Sequence, residues 1–166
     1  MDYLVHHMAR QSAERTPESE AVVHGAERLD YAELWRRVSS FGAGLTELGV
    51  RRGDRVGLFL DPSTQLVEGI FGVSHSGGAF VPIHHGLFPQ QVAHIIQDSG
   101  MTGLVTDGSR LSKLAPALRE CPSLRFIVCV DGSDRAEAGL PVLHIESMRS
   151  AAGSSSGAGR CVEHDL

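Results

Sequence analysis

Hydrophobic and polar positions alternate with a helical period at the start of the chain. Residues 2–15 place Leu4, Val5, Met8 and Ala9 at intervals typical of one helical face. The pattern ends before a proline, and a residue that precedes proline is disfavoured in the α conformation. We therefore predict a first helix over residues 2–15.

The clearest helical pattern in the sequence begins at Asp30. Asp30 can cap a helix, and Glu33 stands three positions later, as in a capping box. Two short β-prone stretches, residues 21–24 and 28–31, come just before it and predict a hairpin. The apolar face of this second helix runs until Gly49 and comprises Leu34, Val38, Phe41, Leu45 and Leu48.

Strand and helix patterns alternate in the remainder of the chain. Strands are predicted over residues 55–60, 79–83, 103–106, 126–130 and 141–145, and helices over 62–74, 88–100 and 109–119. In the first of these helices we expect the apolar side chains to face inward, namely Leu66, Val67, Ile70 and Phe71. In the last, Pro116 predicts a kink or break. The alternation predicts an α/β fold in which a mostly parallel sheet is flanked by helices.

Composition narrows the class of protein. A chain of 166 residues with 42% hydrophobic and 21% charged residues is typical of one globular domain. A net charge of -5 disfavours anionic partners that a protein binds through an excess of positive charge, namely nucleic acid and anionic membranes. Three cysteines without paired spacing, and the absence of a long apolar segment, favour a cytoplasmic protein.

The two ends of the chain differ in character. Residues 1–150 carry the periodic patterns, whereas residues 151–166 open with a Gly/Ser-rich stretch that predicts a linker. Nine histidines lack the spacing of metal ligands, so no metal site is expected. Lys113 is the only lysine, and we interpret it as a solvated surface charge.

Four segments follow one another along the chain, namely LDYAEL (29–34), LGVRRGDRVGLFL (48–60), FGVSHSGGAFVPI (71–83) and QVAHIIQDSG (91–100). In this order they resemble the N-terminal region of AMP-forming acyl-CoA ligases and the related adenylation domains and luciferases. Among acyl-CoA ligases, the similarity is to the exosortase-associated group. The positions that carry the resemblance have scaffold roles: Tyr31, Glu33, Gly53, Asp54, Gly77, Gly78 and Pro82.

The chain departs from the family pattern after Pro82, where His84 and His85 follow in place of the usual Asp or Asn and Pro. We therefore treat His84 and His85 as candidates for the acyl-substrate pocket, with plain loop histidines as the alternative. No catalytic or cofactor-binding residue is expected within the chain. The family's phosphate loop, adenine motif, ribose-binding Asp and catalytic lysine follow the matched region.

The resemblance implies a two-step reaction for the complete enzyme. A carboxylic acid reacts with ATP, assisted by Mg²⁺, to give an acyl-AMP, and coenzyme A then displaces AMP. The chain is expected to be an N-terminal fragment, inactive alone, whose partner is the remainder of the ligase. The alternative is a split subunit, or a non-catalytic interaction module, that needs a partner chain.

Overall fold

A computed structural model describes residues 4–132 and 139–151. The chain begins with helix α1 (Val5–Arg15), followed by an antiparallel hairpin of strands β1 (Glu20–His24) and β2 (Glu27–Asp30), and then helix α2 (Tyr31–Glu47). The hairpin and both helices confirm the predictions for this part of the chain.

The rest of the described chain forms a five-stranded parallel sheet with order β4-β3-β5-β6-β7. Its strands are β3 (Arg55–Leu58), β4 (Ala79–Pro82), β5 (Gly103–Thr106), β6 (Phe126–Cys129) and β7 (Val142–His144). The helices that follow them are α3 (Thr64–His75), α4 (Pro89–Ser99), α5 (Gly108–Leu118) and α6 (Ile145–Ala151). The predicted α/β class with a parallel sheet is confirmed.

The sheet separates two hydrophobic cores. Alternate residues of a strand point to opposite faces, so Phe126 and Val128 pack with α2, α3 and α6, whereas Ile127 and Cys129 pack with α4 and α5. Both faces of the central strands are covered, which explains why these strands read as continuous apolar runs. Among the described residues, no helix has the length and apolar character needed to cross a membrane.

Three details of the helices differ from the sequence interpretation. Helix α5 continues through Pro116 to Leu118, so the predicted break does not occur. Helix α6 was missed, because only a strand was predicted there. The buried face of α3 holds Thr64, Glu68, Gly69, Gly72 and Val73, whereas the four apolar residues predicted to point inward are only half-buried.

The difference in α3 has a steric cause. A Cβ atom added to Gly72 would lie 2.5 Å from the Phe41 ring of α2, and one added to Gly42 would lie 2.9 Å from the Gly72 carbonyl oxygen. The two helix backbones therefore approach too closely for larger side chains between them. Glycine is a weak helix former in general, but here it sets which face of α3 is buried.

Candidate functional site

A crevice opens at the carboxyl edge of the sheet, between the ends of β3 and β5. From β3 the chain crosses to β4 on one side and then returns to form β5 on the other side, so the strand order reverses at β3. In open parallel sheets, ligands bind in the crevice outside the strand ends at such a reversal. The topology therefore marks this edge as the place to look for a site.

The crevice holds a cavity of about 270 Å³ with an apolar floor and a polar rim. Its floor is formed by Phe59, Leu87, Pro89 and Leu114, and its rim by Asp61, His85, Ser109, Arg110 and Lys113. Phe88, which lies between two of the floor residues, is 72% exposed. An apolar cavity with a few convergent polar groups is the usual form of a small-molecule site.

Arg110 is the best-anchored charge of the crevice. Its Nη2 donates to Asp61 Oδ1 at 2.7 Å, its Nη1 donates to Asp107, and its guanidinium lies 5.3 Å from the centre of the Phe59 ring. Burial disfavours the charge of Arg110, but the hydrogen bonds to Asp107 and Asp61 outweigh it and raise the arginine pKa. Arg110 therefore stays charged and fixed in position.

The start of α5 beside the cavity is capped by carboxylates. Asp107 Oδ1 accepts from the Arg110 backbone N–H at 2.9 Å, and both carboxylate oxygens of Asp131 accept from the Gly108 backbone N–H, at 3.1 and 3.0 Å. These contacts hold the loop after β5 against the end of β6. Lys113, an exposed residue that lines the cavity, lies one turn further along α5.

The structure separates the two histidines that sequence analysis singled out. His85 lines the cavity, and its Nδ1 lies 3.3 Å from Asp61 Oδ1. His84 does not line the cavity; its ring stacks on His85 with centroids 4.7 Å apart, and its Nδ1 accepts from the Gly86 backbone N–H at 3.2 Å. His85 can therefore contact a ligand directly, and His84 supports its ring.

The scaffold positions at the start of α2 form a cap. The Glu33 backbone N–H donates to Asp30 Oδ1 at 2.7 Å, as the Asp30 signature predicts, and the Tyr31 N–H donates to the Ser19 carbonyl at 3.0 Å. The Glu33 carboxylate accepts instead from two arginines of its own helix, from Arg36 Nε and Nη2 at 2.7 and 2.8 Å and from Arg37 Nε at 2.7 Å. The Arg36 hydrogen bonds lower the pKa of Glu33 to about 2, and the Arg37 bond adds to the effect.

The remaining scaffold positions shape turns. Gly53 has φ 85° and Gly77 has φ 86°, a region that suits glycine, and both lie in turns that lead into strands. Asp54 lies at the amino end of β3, away from the crevice, where its Oδ2 accepts from the Arg51 N–H at 3.0 Å and from Arg125 at 2.6 Å.

Gly78 and Pro82 frame β4. A Cβ on Gly78 would lie 3.1 Å from Val50, so the helix-to-strand turn closes tightly, and Pro82 is the last residue of β4.

Of the nine residues that line the cavity, sequence reasoning singled out only His85 as a site candidate. The eight that it missed are Phe59, Asp61, Leu87, Pro89, Ser109, Arg110, Lys113 and Leu114. The usable signal was their position in the sequence, because they follow the ends of β3, β4 and β5. Lys113, interpreted as a solvated charge, is indeed exposed but stands on the rim of the cavity. Among the described residues, no group of three or more His, Cys, Asp or Glu side chains could hold a metal ion.

Comparison with known proteins identifies the family. The sequence model of the family described as "AMP-binding enzyme" matches residues 9–150, so the chain belongs to this family of adenylate-forming ligases. The AMB antimetabolite synthetase AmbB of Pseudomonas aeruginosa is 33% identical over 134 residues, which are 80% of this chain and 10% of that protein.

Two further relatives show how much of a family member this chain represents. Syringomycin synthase SyrB1 of Pseudomonas syringae pv. syringae is 29% identical over 84% of this chain and 26% of that protein. The anthranilate CoA ligase AuaEII shares the fold, with a TM-score of 0.86 at 20% identity over 98% of this chain and 31% of that one. The chain thus spans less than a third of each of these relatives, and it matches the N-terminal part of the AMP-binding fold.

Proposed function

We propose that the chain is the N-terminal part of an acid–thiol ligase of the exosortase-associated acyl-CoA group. In the complete enzyme a carboxylate oxygen attacks the α-phosphorus of ATP and pyrophosphate leaves. The thiol of coenzyme A then attacks the acyl carbon and AMP leaves. The family match over residues 9–150 supports the adenylating step, and the sequence resemblance alone supports the acyl-CoA group.

We divide the chain into residues 1–150, the N-terminal α/β subdomain, and residues 151–166, a linker that leads to the nucleotide-binding part. Residues 152–166 lie outside the described residues, and Ala151 ends α6. The described residues hold no cluster of metal-ligand side chains, so we assign none of them to Mg²⁺. Buried thiols at Cys121 and Cys129 support placing the enzyme in the reducing cytoplasm.

Within that enzyme we assign the crevice to an anionic group of a substrate. Lys113, which lines the cavity, supplies the attracting charge, and His85 offers a second polar contact. The apolar floor suits the part of the ligand next to the anion. Both a carboxylic acid and a phosphate of coenzyme A have this chemistry, so the two sources must be separated by experiment.

A single variant of the complete enzyme separates them. We expect Lys113→Ala to raise one KM about tenfold with kcat nearly unchanged, because a contact made equally in ground and transition states is lost. ATP–pyrophosphate exchange measures the KM for the acid, and thioester formation measures the KM for coenzyme A. Arg119→Ala, at the exposed end of the same helix, is the matched control. If neither KM changes, the crevice is not a substrate site.

The proposed dependence on the remainder of the ligase has its own test. The 166-residue chain, mixed with ATP and a panel of fatty and aryl acids, is expected to give no pyrophosphate exchange. Clear turnover by this chain would contradict its role as a fragment. As a separate test, the coding sequence beyond the codon for Leu166 is expected to contain the phosphate loop in the same reading frame. A stop codon there, with the phosphate loop encoded by another gene, would favour a split subunit.

A further inference from the structure

Helix α1 is attached to the rest of the molecule through histidine rings. Its buried residues are His6, His7 and Ala9, whereas Met8 is 65% exposed. Of the apolar residues predicted to share one helical face, Ala9 is buried, whereas Val5 and Met8 are exposed, so most of the buried surface of α1 comes from imidazole rings. In most amphipathic helices the buried stripe is apolar, so buried neighbouring imidazoles on α1 call for a physical explanation.

The two rings meet a third histidine at the end of α3. The centroid of His6 lies 4.3 Å from that of His7 and 5.4 Å from that of His75. His6 Nδ1 lies 3.0 Å from Ser74 Oγ, and the Trp35 ring of α2 meets His75 edge-on at 5.4 Å. Three helices thus meet at one cluster, which we call the histidine seam and define as His6, His7 and His75.

The His75 ring has little capacity to accept positive charge. His75 Nδ1 is buried and has no hydrogen-bond partner among the described residues. A Cβ on Gly42 of α2 would lie 2.5 Å from that nitrogen, so the backbone of α2 closes the site on that side. The charged group nearby on α1 is Arg10, whose Nε lies 3.5 Å from the exposed Glu14 carboxylate.

Burial and nearby positive charge both lower the pKa values of His6 and His75, and at His6 they outweigh the hydrogen bond to Ser74, which raises it. Burial, helped by the positive charges of His7, His75 and Arg10, lowers the pKa of His6 to about 4. Burial also lowers the pKa of His75, with contributions from Arg10 and His7. An unfolded histidine titrates near 6.5, so α1 docking is fully favoured above that pH and weakens as the pH falls toward about 4.

We propose that the histidine seam is a proton-operated clasp, which holds α1 on α2 and α3 while His6 and His75 are neutral and releases α1 when these two rings are protonated. The release uncovers the surfaces of α2 and α3 around Trp35 without unfolding the α4/α5 face of the sheet. This property belongs to the described chain and does not depend on the ligase reaction.

Amide hydrogen exchange of the 166-residue chain tests the clasp between pH 8 and 4.5. After correction for intrinsic exchange, the opening constant of α1 should rise between about tenfold and a hundredfold per pH unit below 6.5, for one or two protons taken up. Amides of α4, on the opposite face, should change far less. Trp35 is the chain's only tryptophan, so its fluorescence should report the same transition.

Variants show whether the seam is the cause. His6→Gln and His75→Gln should each remove one proton from the transition, so the rise of the α1 opening constant per pH unit should become about tenfold smaller. His94→Gln, on the exposed side of α4, should leave this rise unchanged. The slope is compared, so a general loss of stability does not obscure the result. Equal pH dependence of α1 and α4 in the wild-type chain, or an unchanged slope in both seam variants, would overturn the proposal.

Discussion

The two faces of the parallel sheet are packed by different means. On one face α1, α2, α3 and α6 add close glycine contacts, the histidine seam and the ion pair between Glu68 and Arg149 to an apolar core. On the other face α4 and α5 pack through a continuous apolar core. Polar groups of the second face lie at its open carboxyl edge, in the crevice.

The difference indicates which polar groups fix structure and which are available to a ligand. Glu68 is fully buried, and the side chain of Arg149 is 8% exposed, so their mutual contact is closed to a substrate. Asp61 and His85 have side chains that are 60% and 46% exposed, and they border an open cavity. Burial of a paired charge favours a structural role, whereas a convergent exposed set favours binding.

The largest expected effect comes from breaking the buried pair. Arg149→Met should lower the free energy of unfolding by about 3 kcal/mol, because it leaves the Glu68 carboxylate buried without its partner. The double variant Glu68→Leu with Arg149→Met should regain most of that loss, because both charges are gone. Urea unfolding measures each value.

The exposed pair of α2 provides the control for this comparison. Arg36→Met removes a surface contact to Glu33 and should cost less than about 0.5 kcal/mol. If Arg149→Met costs no more than Arg36→Met, the pair between α3 and α6 does not hold the first face together.

A smaller loss is expected from filling the close contact of α2 and α3. Gly72→Ala should cost about 1.5 kcal/mol, because its Cβ would lie 2.5 Å from the buried Phe41 ring and the overlap exceeds the helix-propensity gain. Gly69→Ala, one turn earlier, meets the flexible end of Leu58 at 3.0 Å and should be nearly neutral. Equal values from urea unfolding would show that the helices can move apart.

The sequence was sufficient to predict the helices and strands, but it was not sufficient to predict the contacts between them. Apolar runs identify β5 and β6 because both faces of these strands are buried. The Asp30 cap was also found, because its partner is three residues away. In contrast, the buried face of α3 depends on Gly69 and Gly72, where hydrophobic periodicity carries no signal.

The crevice could not be predicted for a related reason. Asp61 and Arg110 are 49 positions apart in sequence and form a hydrogen bond only because β3 and β5 are neighbours. Periodicity predicts strands but not their order in the sheet. His85 was singled out from its departure from the family pattern, and its contact with Asp61 depends on the same strand order.

Removing a cap at the crevice is expected to have a moderate effect. Asp107→Ala should cost about 1 kcal/mol, because the Arg110 backbone N–H loses its acceptor at the start of α5. Asp107→Asn keeps an acceptor oxygen and should cost less than half as much, although it loses the charge opposite Arg110. Thermal unfolding of both variants checks the order, and an equal cost would assign the effect to the ion pair instead of the cap.

The smallest effect on stability is expected at the rim itself. Lys113→Ala should change the free energy of unfolding by less than about 0.5 kcal/mol, because the side chain is exposed and the chain's packing does not depend on it. The same variant is expected to raise a substrate KM in the complete enzyme, so stability and binding separate at this residue. Urea unfolding and the kinetic assay together test this expectation. A loss of more than about 1 kcal/mol in the free energy of unfolding would give Lys113 a structural role like that of the buried charges on the first face. A raised KM without such a loss would indicate that the crevice contacts the substrate.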